Sequence, residues 1–290
     1  MPCAAGLLFR TVKEEMAREE RRLIERKVKT VRALERGLQV LSEIDRRKGA
    51  NLHELHLALG LPKATLLRMV VTLGKHGHIW QRLADGAFLP SMRHGGFPHD
   101  PTCPQVAEIA SPHLARLSRL VAWPSALSAP YGDHLEIVET NSPLLRLDAI
   151  ALGPVGCRLS FLHTATGRAY LAACDAVERE AIVMQLRPAV PDPAGEQMLD
   201  DILGMTRARG YALREPFHPW ADRNWQAVRH DGRRSMAVPV IVDGRPIAAI
   251  NITWLHRRTE TGTVVQRHLG ALQGAADAIA ADLVARRVTH

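Results

Sequence analysis

The stretch Leu59-Gly-Leu-Pro-Lys-Ala-Thr-Leu-Leu-Arg-Met-Val-Val-Thr-Leu73 limits the fold more than any other part of this chain. Gly60 suits a sharp turn after a short helix, and Pro62 suits a helix start, where its missing N–H costs nothing. Beyond it, Leu66, Met69, Val70 and Leu73 fall at i, i+3, i+4 and i+7, one apolar stripe. At about 100° per residue, Thr65, Arg68, Thr72 and Lys75 share the opposite face, with Lys63 at the helix start. Small polar and cationic groups on a short helix suit phosphates and base edges in a major groove. An ordinary amphipathic helix with a solvated outer face would show the same stripe, so the flanks have to decide.

Val31 to Lys48 forms a longer helical pattern, with Leu34, Leu38 and Leu41 on one face and Ile44 close by. Gly49 ends it, and Asn51 can cap a short helix over 52–59 in which Leu52, Leu55 and Leu59 face inward. Gly77 stops the third helix. Two short runs, His78 to Leu89, then flank Asp85-Gly86, a strong hairpin signal. Helix, helix, turn, helix, hairpin is the order of a winged helix-turn-helix, and Arg82 on the hairpin is placed to reach a phosphate or the minor groove.

Charge agrees with that reading. The 290 residues carry 38 Lys+Arg against 30 Asp+Glu, a formal net charge of +8. Residues 1–100 hold 18 basic and 11 acidic groups, a net of +7, which leaves 20 against 19 in the other 190 residues. The excess positive charge therefore sits with the candidate DNA-binding unit, as phosphate contacts require. Residues 1–26 read as a flexible basic extension. Arg21 to Lys29, followed by Arg32, forms either a basic arm along the groove or a solvated tail with Glu/Arg pairs.

Other bulk properties bound the remaining classes. No run of 18 apolar residues exists, so no membrane span is expected, and the first ten residues lack the basic start of a secretory signal. Cys3, Cys103, Cys157 and Cys174 form no CxxC pair and no metal spacing, which fits a reducing cytoplasm. No GxGxxG, GxSxG or phosphate-cradling GxxxxGK[ST] motif occurs, and no cofactor is implied. His53-Glu54-Leu55-His56 only superficially resembles HExxH, because Leu57 stands where the second histidine belongs.

Residues 27–90 are thus expected to form the winged helix-turn-helix domain, 91–104 a Pro/Gly-rich linker, and 105–290 a second domain. That domain opens with a helix over 105–120, with Ser111-Pro112 marking a kink or fresh start. Strands are expected at 126–131 and 134–140 around Gly132-Asp133, and at 234–242 and 246–254 around Asp243-Gly244. Helices are expected at 165–174, 176–186 and 196–209. In the tail, Val265, Leu269, Leu272, Ala276, Ile279 and Leu283 share one helix face. Helices flanking an antiparallel sheet make an α+β domain.

At this point a resemblance becomes specific. Over residues 30–287 the chain resembles an IclR-family transcriptional regulator. In the first domain the likeness rests on Leu59-Gly-Leu-Pro-Lys-Ala-Thr, Arg68 and Leu73. In the second it rests on Leu162-His-Thr-Ala-Thr-Gly-Arg-Ala-Tyr-Leu-Ala172, Arg209-Gly-Tyr-Ala-Leu213, and Met236-Ala-Val-Pro-Val with Gly244-Arg-Pro-Ile-Ala-Ala-Ile-Asn251. Val121-Ala-Trp-Pro-Ser125 further resembles the MhpR-like branch, regulators of phenylpropionate catabolism. The resemblance implies a winged helix-turn-helix joined to a GAF-like α/β effector-binding domain, working as a homodimer or dimer of dimers on a double-stranded DNA operator. It departs from the family's usual helical linker in the Pro/Gly-broken segment.

The resemblance also places the effector between the sheet and the segment that precedes and includes the Thr-Gly helix. That region offers Trp123, Ser125 and Ser128, then Arg158, Ser160, Thr164 and Tyr170, with Asn251 and Thr253 on the last strand. Trp123 can stack on a flat ring and Arg158 can fork onto a carboxylate, which points to a small organic, aromatic acid. Core packing for Trp123 and Tyr170 and a surface role for Arg158 stay open. Asn251 and Thr253 share a strand face and need polar partners if it points inward. The alternative function is a GAF-like redox sensor or reductase using Cys157 or Cys174.

Overall fold

The computed structural model describes residues 30–91, 103–145, 152–214, 218–220 and 232–288. The expected 1–26 extension, Lys29 and most of the 91–104 linker lie outside them.

The N-terminal unit comprises α1 (Arg32–Arg47), α2 (Leu52–Leu59), α3 (Lys63–Lys75), β1 (Ile79–Gln81) and β2 (Phe88–Pro90). Its core is Val40, Ile44, Leu55, Leu66, Val70, Ile79 and Phe88. Two local devices set the angles between helices. Asn51 forms a capping box at α2: its Oδ1 accepts from the His53 and Glu54 amides, and the Glu54 carboxylate accepts from the Asn51 amide at 2.7 Å. Gly60, at φ +64°, turns the chain toward α3, and His56 Nδ1 lies 2.8 Å from the Leu61 carbonyl across that turn. The wing pairs Ile79 with Pro90 and Gln81 with Phe88, and a bridge from Ala50 to Phe88 ties it to the α1–α2 loop.

One expectation needs correction here. Leu34 and Leu38 are 61% and 53% exposed, while Val40 and Ile44 are the residues of α1 that are buried. The buried residues of α1 lie in its C-terminal half, so among the described residues nothing covers the apolar stripe of its first two turns.

The second unit is built on an antiparallel six-stranded sheet in the order β5-β4-β3-β8-β7-β6. Its strands are β3 (Ser125–Tyr131), β4 (His134–Thr140), β5 (Arg158–Leu159), β6 (Ala212–Leu213), β7 (Arg233–Val242) and β8 (Arg245–Leu255). The helices are α4 (Cys103–Leu120), α5 (Ala165–Ala173), α6 (Ala176–Leu186), α7 (Pro193–Arg209) and α8 (Thr261–Val288). Helices α4 and α8 cover one face of the sheet, burying Leu114, Leu127, Val240, Ile250, Trp254 and Leu272 together. Helix α5, backed by α6 and α7, covers part of the other face with Leu162, Tyr170, Leu171, Leu203 and Ala249. Helix α4 runs unbroken through Pro112, where a kink or restart is expected from sequence. Burial of Val106, Ile109, Leu114 and Leu117 offsets the hydrogen bond that proline cannot make. The two-residue strands β5 and β6, too short to show a period in sequence, form the sheet's edges.

Register matters most in β4. Leu127 pairs with Glu139, but Ser128 pairs with Ile137, so Val138 is an extra residue in β4. This bulge breaks the alternation. Ile137 and Glu139, two residues apart, consequently point to opposite faces of the sheet. Ile137 joins the α5 side, and Glu139 joins Leu127 on the α4 side.

Two stability measurements test this packing. Gly167 in α5 packs so tightly on the preceding loop that a Cβ there would sit 2.4 Å from both the Phe161 Cα and the Ser160 carbonyl oxygen. Gly167→Ala should therefore cost about 1–3 kcal/mol in urea unfolding, as an overpacked core does. His218 is buried, accepts the Trp220 amide at Nδ1, and is pushed down to about 4 by burial, with His163 and Arg168 adding to the effect. Its neutral form is the native one. As pH falls from about 6.5 toward 4, the unfolded chain takes up a proton that the folded chain refuses, and stability is lost. His218→Gln should show a flatter loss than wild type across that window.

Candidate DNA-binding face and effector cavity

On α3, Lys63, Arg68, Thr72 and Lys75 are exposed and Thr65 is half-buried. The Thr72 hydroxyl donates to the Arg68 carbonyl at 2.8 Å, so it is partly engaged within the helix. The same outer face also exposes Ala64, Leu67 and Val71. Sequence reasoning passed over these because it sorted residues by polarity, yet thymine methyls are read by apolar contact. Arg32 is exposed at the start of α1. Arg82 is not a free cation: its guanidinium holds Asp85 through two contacts across the wing turn, and that pairing keeps the Asp85 carboxyl below its usual range.

The wing is docked on the second domain. Trp80 and Leu83 pack against the α4–α8 core, the Ser91 hydroxyl donates to Glu108 at 2.7 Å, and the Leu83 and Ala84 amides donate to Glu139.

On the other face of the sheet lies a cavity of about 280 Å³. Its floor is Ala126, Ser235, Asn251 and Thr253 from β3, β7 and β8; Thr164 and Thr166 at the start of α5 form one wall, and Ile137, Leu152 and Leu159 an apolar one. Three arginines line it: Arg158 on β5, Arg214 just after β6, and Arg233 at the start of β7. Arg214 and Arg233 stand at one edge of the sheet; at the opposite edge Arg158 pairs with Glu136, which alternates with the cavity-lining Ile137, so Arg158 borders the cavity without its charge being directed into it. The threonine side is rigid. Thr164 caps α5 by accepting the Gly167 amide and donates to the Ser160 carbonyl at 2.7 Å. Arg168, fully buried in α5, donates to the carbonyls of Leu162 and Leu213, the residue before Arg214.

Of the nine residues expected at the ligand, the structure brings Arg158, Thr164, Asn251 and Thr253 to the cavity. The others do not line it. Trp123 packs half-buried against the α4–α8 core. Ser125 alternates with Ala126 and so lies on the opposite face. Ser128 is fully buried beside Ala249. The Ser160 hydroxyl sits 2.9 Å from His163 Nδ1 and accepts the Leu162 and His163 amides. Tyr170 is buried, donates its hydroxyl to Glu178 at 2.8 Å, and is driven well above its ordinary range by burial and that carboxylate. Asn251 already has partners: its Oδ1 accepts the Ala126 amide at 2.9 Å and its Nδ2 donates to Thr253 Oγ1. A ligand is not needed to satisfy it.

Arg214, Arg233, Thr166 and Ser235 were missed. Ser235 faces Thr253 in the β7–β8 register, so the alternation of β7 was a usable signal for it and for Arg233. Nothing local marks Arg214, which reaches the cavity because β6 pairs with β7. The cysteines do not fit a redox role. Burial pushes the Cys157 thiol up and the Cys174 thiol up to about 12, opposite to what a reactive thiolate requires.

A winged helix-turn-helix joined to an α+β domain with a cationic, hydroxyl-lined cavity defines a class: DNA-binding regulators with a ligand domain. Family comparison agrees. Residues 103–281 match the model of the bacterial transcriptional regulator IclR C-terminal domain, and residues 33–82 match the IclR helix-turn-helix domain. The chain belongs to the IclR family of transcriptional regulators, and is a regulator rather than an enzyme. It is 27% identical over 241 residues to the HTH-type transcriptional regulator XynR of Escherichia coli K12, covering 79% of this chain and 88% of that one. A putative transcriptional regulator of Rhodococcus sp. RHA1, RHA06195, superposes with TM-score 0.51 at 25% identity over 89% of this chain and all of that one. The IclR of Thermotoga maritima shares the fold at TM-score 0.50 and 17% identity, over 86% and 98% of the two chains. Among the described residues no single helix is long and apolar enough to cross a membrane.

Arg68→Ala should weaken operator binding by about 1–3 kcal/mol and relax base preference at one position, if the guanidinium pairs a guanine. Lys75→Ala should weaken all duplexes alike and lower the salt slope. Gel-shift titrations at fixed salt separate the two outcomes, and unchanged operator affinity in Arg68→Ala would remove it from the reading face.

Proposed function

We propose that this chain is a sequence-specific regulator, working as a dimer or dimer of dimers, whose operator affinity responds to a small organic acid bound in the cavity of the second domain. Arg214 and Arg233 beside one hydroxyl-lined space, with Arg158 at its opposite edge, carry the reading. Guanidinium groups recognise carboxylates through paired, charge-assisted hydrogen bonds. Thr164, Thr166, Ser235 and Thr253 supply the few placed polar groups that orient a ligand, and Ile137, Leu152 and Leu159 supply its apolar wall. Lys63, Arg68, Thr72 and Lys75 on α3, with Thr65 beside them and Arg32 on α1, are assigned to the operator.

An aromatic ring on the acid is supported by the MhpR-like Val121–Ser125 segment and by that apolar wall, against which a planar ring can lie. Trp123 and Tyr170 take no part in the proposal. The acid shifts the equilibrium between arrangements of the DNA-binding domains only through different affinities for them.

Small aromatic and aliphatic carboxylates should raise the melting temperature of the protein, since a ligand that binds the native state stabilises it. With the best of them, isothermal titration should show Arg158→Met and Arg233→Met each weakening the acid by about ten- to a hundredfold, the worth of a charge-assisted pair of roughly 1.5–3 kcal/mol. The matching amide should be little affected. Equal losses for acid and amide would remove the arginines as carboxylate partners, and saturable binding of neutral sugars alone would sink the acid reading.

A further inference from the structure

Beside the packing of Trp80 and Leu83 and the Ser91–Glu108 bond, the wing turn gives two backbone amides to one buried carboxylate of the second domain. Glu139 has no exposed surface. Its Oε2 accepts the Leu83 amide at 2.9 Å and its Oε1 the Ala84 amide at 3.1 Å. Oε1 also accepts the Thr140 amide at 2.9 Å, and the Ser111 hydroxyl of α4 donates to the same group. Leu83 and Ala84 are consecutive residues of the wing turn. Two successive backbone N–H groups converging on one anion form a concave site that takes carboxylate or phosphate alike. A phosphodiester, like a carboxylate, presents two oxygens that share one negative charge.

We propose that the Leu83–Ala84 amide pair is a binding site for a DNA backbone phosphate, and that Glu139 occupies it as an internal phosphate mimic, so that the second domain and the duplex compete for the wing. The site lies on the hairpin that follows the α3 helix, within the unit that holds the chain's excess positive charge. In the docked state the wing's own cation is also withheld, since Arg82 is paired with Asp85. Burial opposes the ionised form of Glu139 and drives its carboxyl above the usual range despite four donors, so release of the carboxylate to water recovers its hydration. The β4 bulge joins the contact to the cavity: Ile137 lines the cavity on one face of the strand while Glu139 holds the wing on the other.

The test needs neither operator nor effector. Full-length wild type, Glu139→Gln and Asp200→Asn are titrated against a 30-base-pair duplex of arbitrary sequence by fluorescence anisotropy, over a series of salt concentrations. A carboxamide has one acceptor oxygen and an NH2 that opposes the second wing amide, so Glu139→Gln should release the turn. Its duplex affinity should rise about three- to tenfold across the salt series, with little change of salt slope, because neutral amides release no counterions. Asp200, exposed on α7, undergoes the same change of charge, and Asp200→Asn should stay within about twofold of wild type. Amide exchange at Leu83 and Ala84 should be faster in Glu139→Gln without DNA. Ser111→Ala, which removes one bond to the carboxylate and nothing from the wing, should move affinity in the same direction by a smaller factor, and keeps the test open if Glu139→Gln does not fold. Variants that bind the duplex no better than Asp200→Asn, or that bind better with no change in exchange at the wing, overturn the proposal.

Discussion

The ladder joining β3, β8 and β7 is the constraint on which the second domain depends. Antiparallel pairing carries Ser235 beside Thr253, Ala237 beside Asn251, and Asn251 beside Ala126. Because side chains alternate along each strand, this register sends Leu127, Ile250, Ile252 and Trp254 into the α4–α8 core and Ala126, Ser235, Asn251 and Thr253 to the cavity. A slip of one residue would exchange the two sets, putting an amide and hydroxyls into an apolar core. Asn251 helps exclude that slip: its Oδ1 takes the Ala126 amide, so the side chain is itself a part of the pairing.

Within that frame, the bulge in β4 serves both functional faces. Regular pairing would have turned Ile137 and Glu139 the same way. One inserted residue gives the strand a cavity-facing apolar group and, two positions on, a carboxylate on the opposite face that reaches another domain.

The distribution of charge follows the same division of labour. Cations on α3 (Lys63, Arg68 and Lys75) are exposed on the outer face of the helix-turn-helix. Arg214 and Arg233 border the cavity from one edge of the sheet and Arg158 from the other. Thr164 and Arg168 serve this second group without belonging to it. The one caps α5, and the other ties the chain at Leu213 beside Arg214.

The helix-turn-helix was legible in the sequence because its evidence is local: Asn51, Gly60 and Pro62 act on their immediate neighbours, and the stripe from Leu66 to Leu73 needs only a helical period. The same holds for the long strands and for the tail helix. Leu34 and Leu38 share a helix face as the period requires, but a stripe reports which face could be covered and not how much of it is. The cavity residues were half legible. Thr164, Asn251 and Thr253 sit in motifs or on a strand whose period is visible, whereas Trp123, Ser125 and Tyr170 were placed there by the region that the family resemblance points to, and do not line the cavity. Arg214 reaches the cavity through strand pairing, and Glu139 reaches the wing through a bulge and a domain contact spanning 55 and 56 positions of sequence. Local sequence determines periodicity, caps and turns, since those are energies among near neighbours; register, facing and the meeting of distant groups are decided only when the whole sheet has formed, because they are energies between residues that the chain itself keeps far apart.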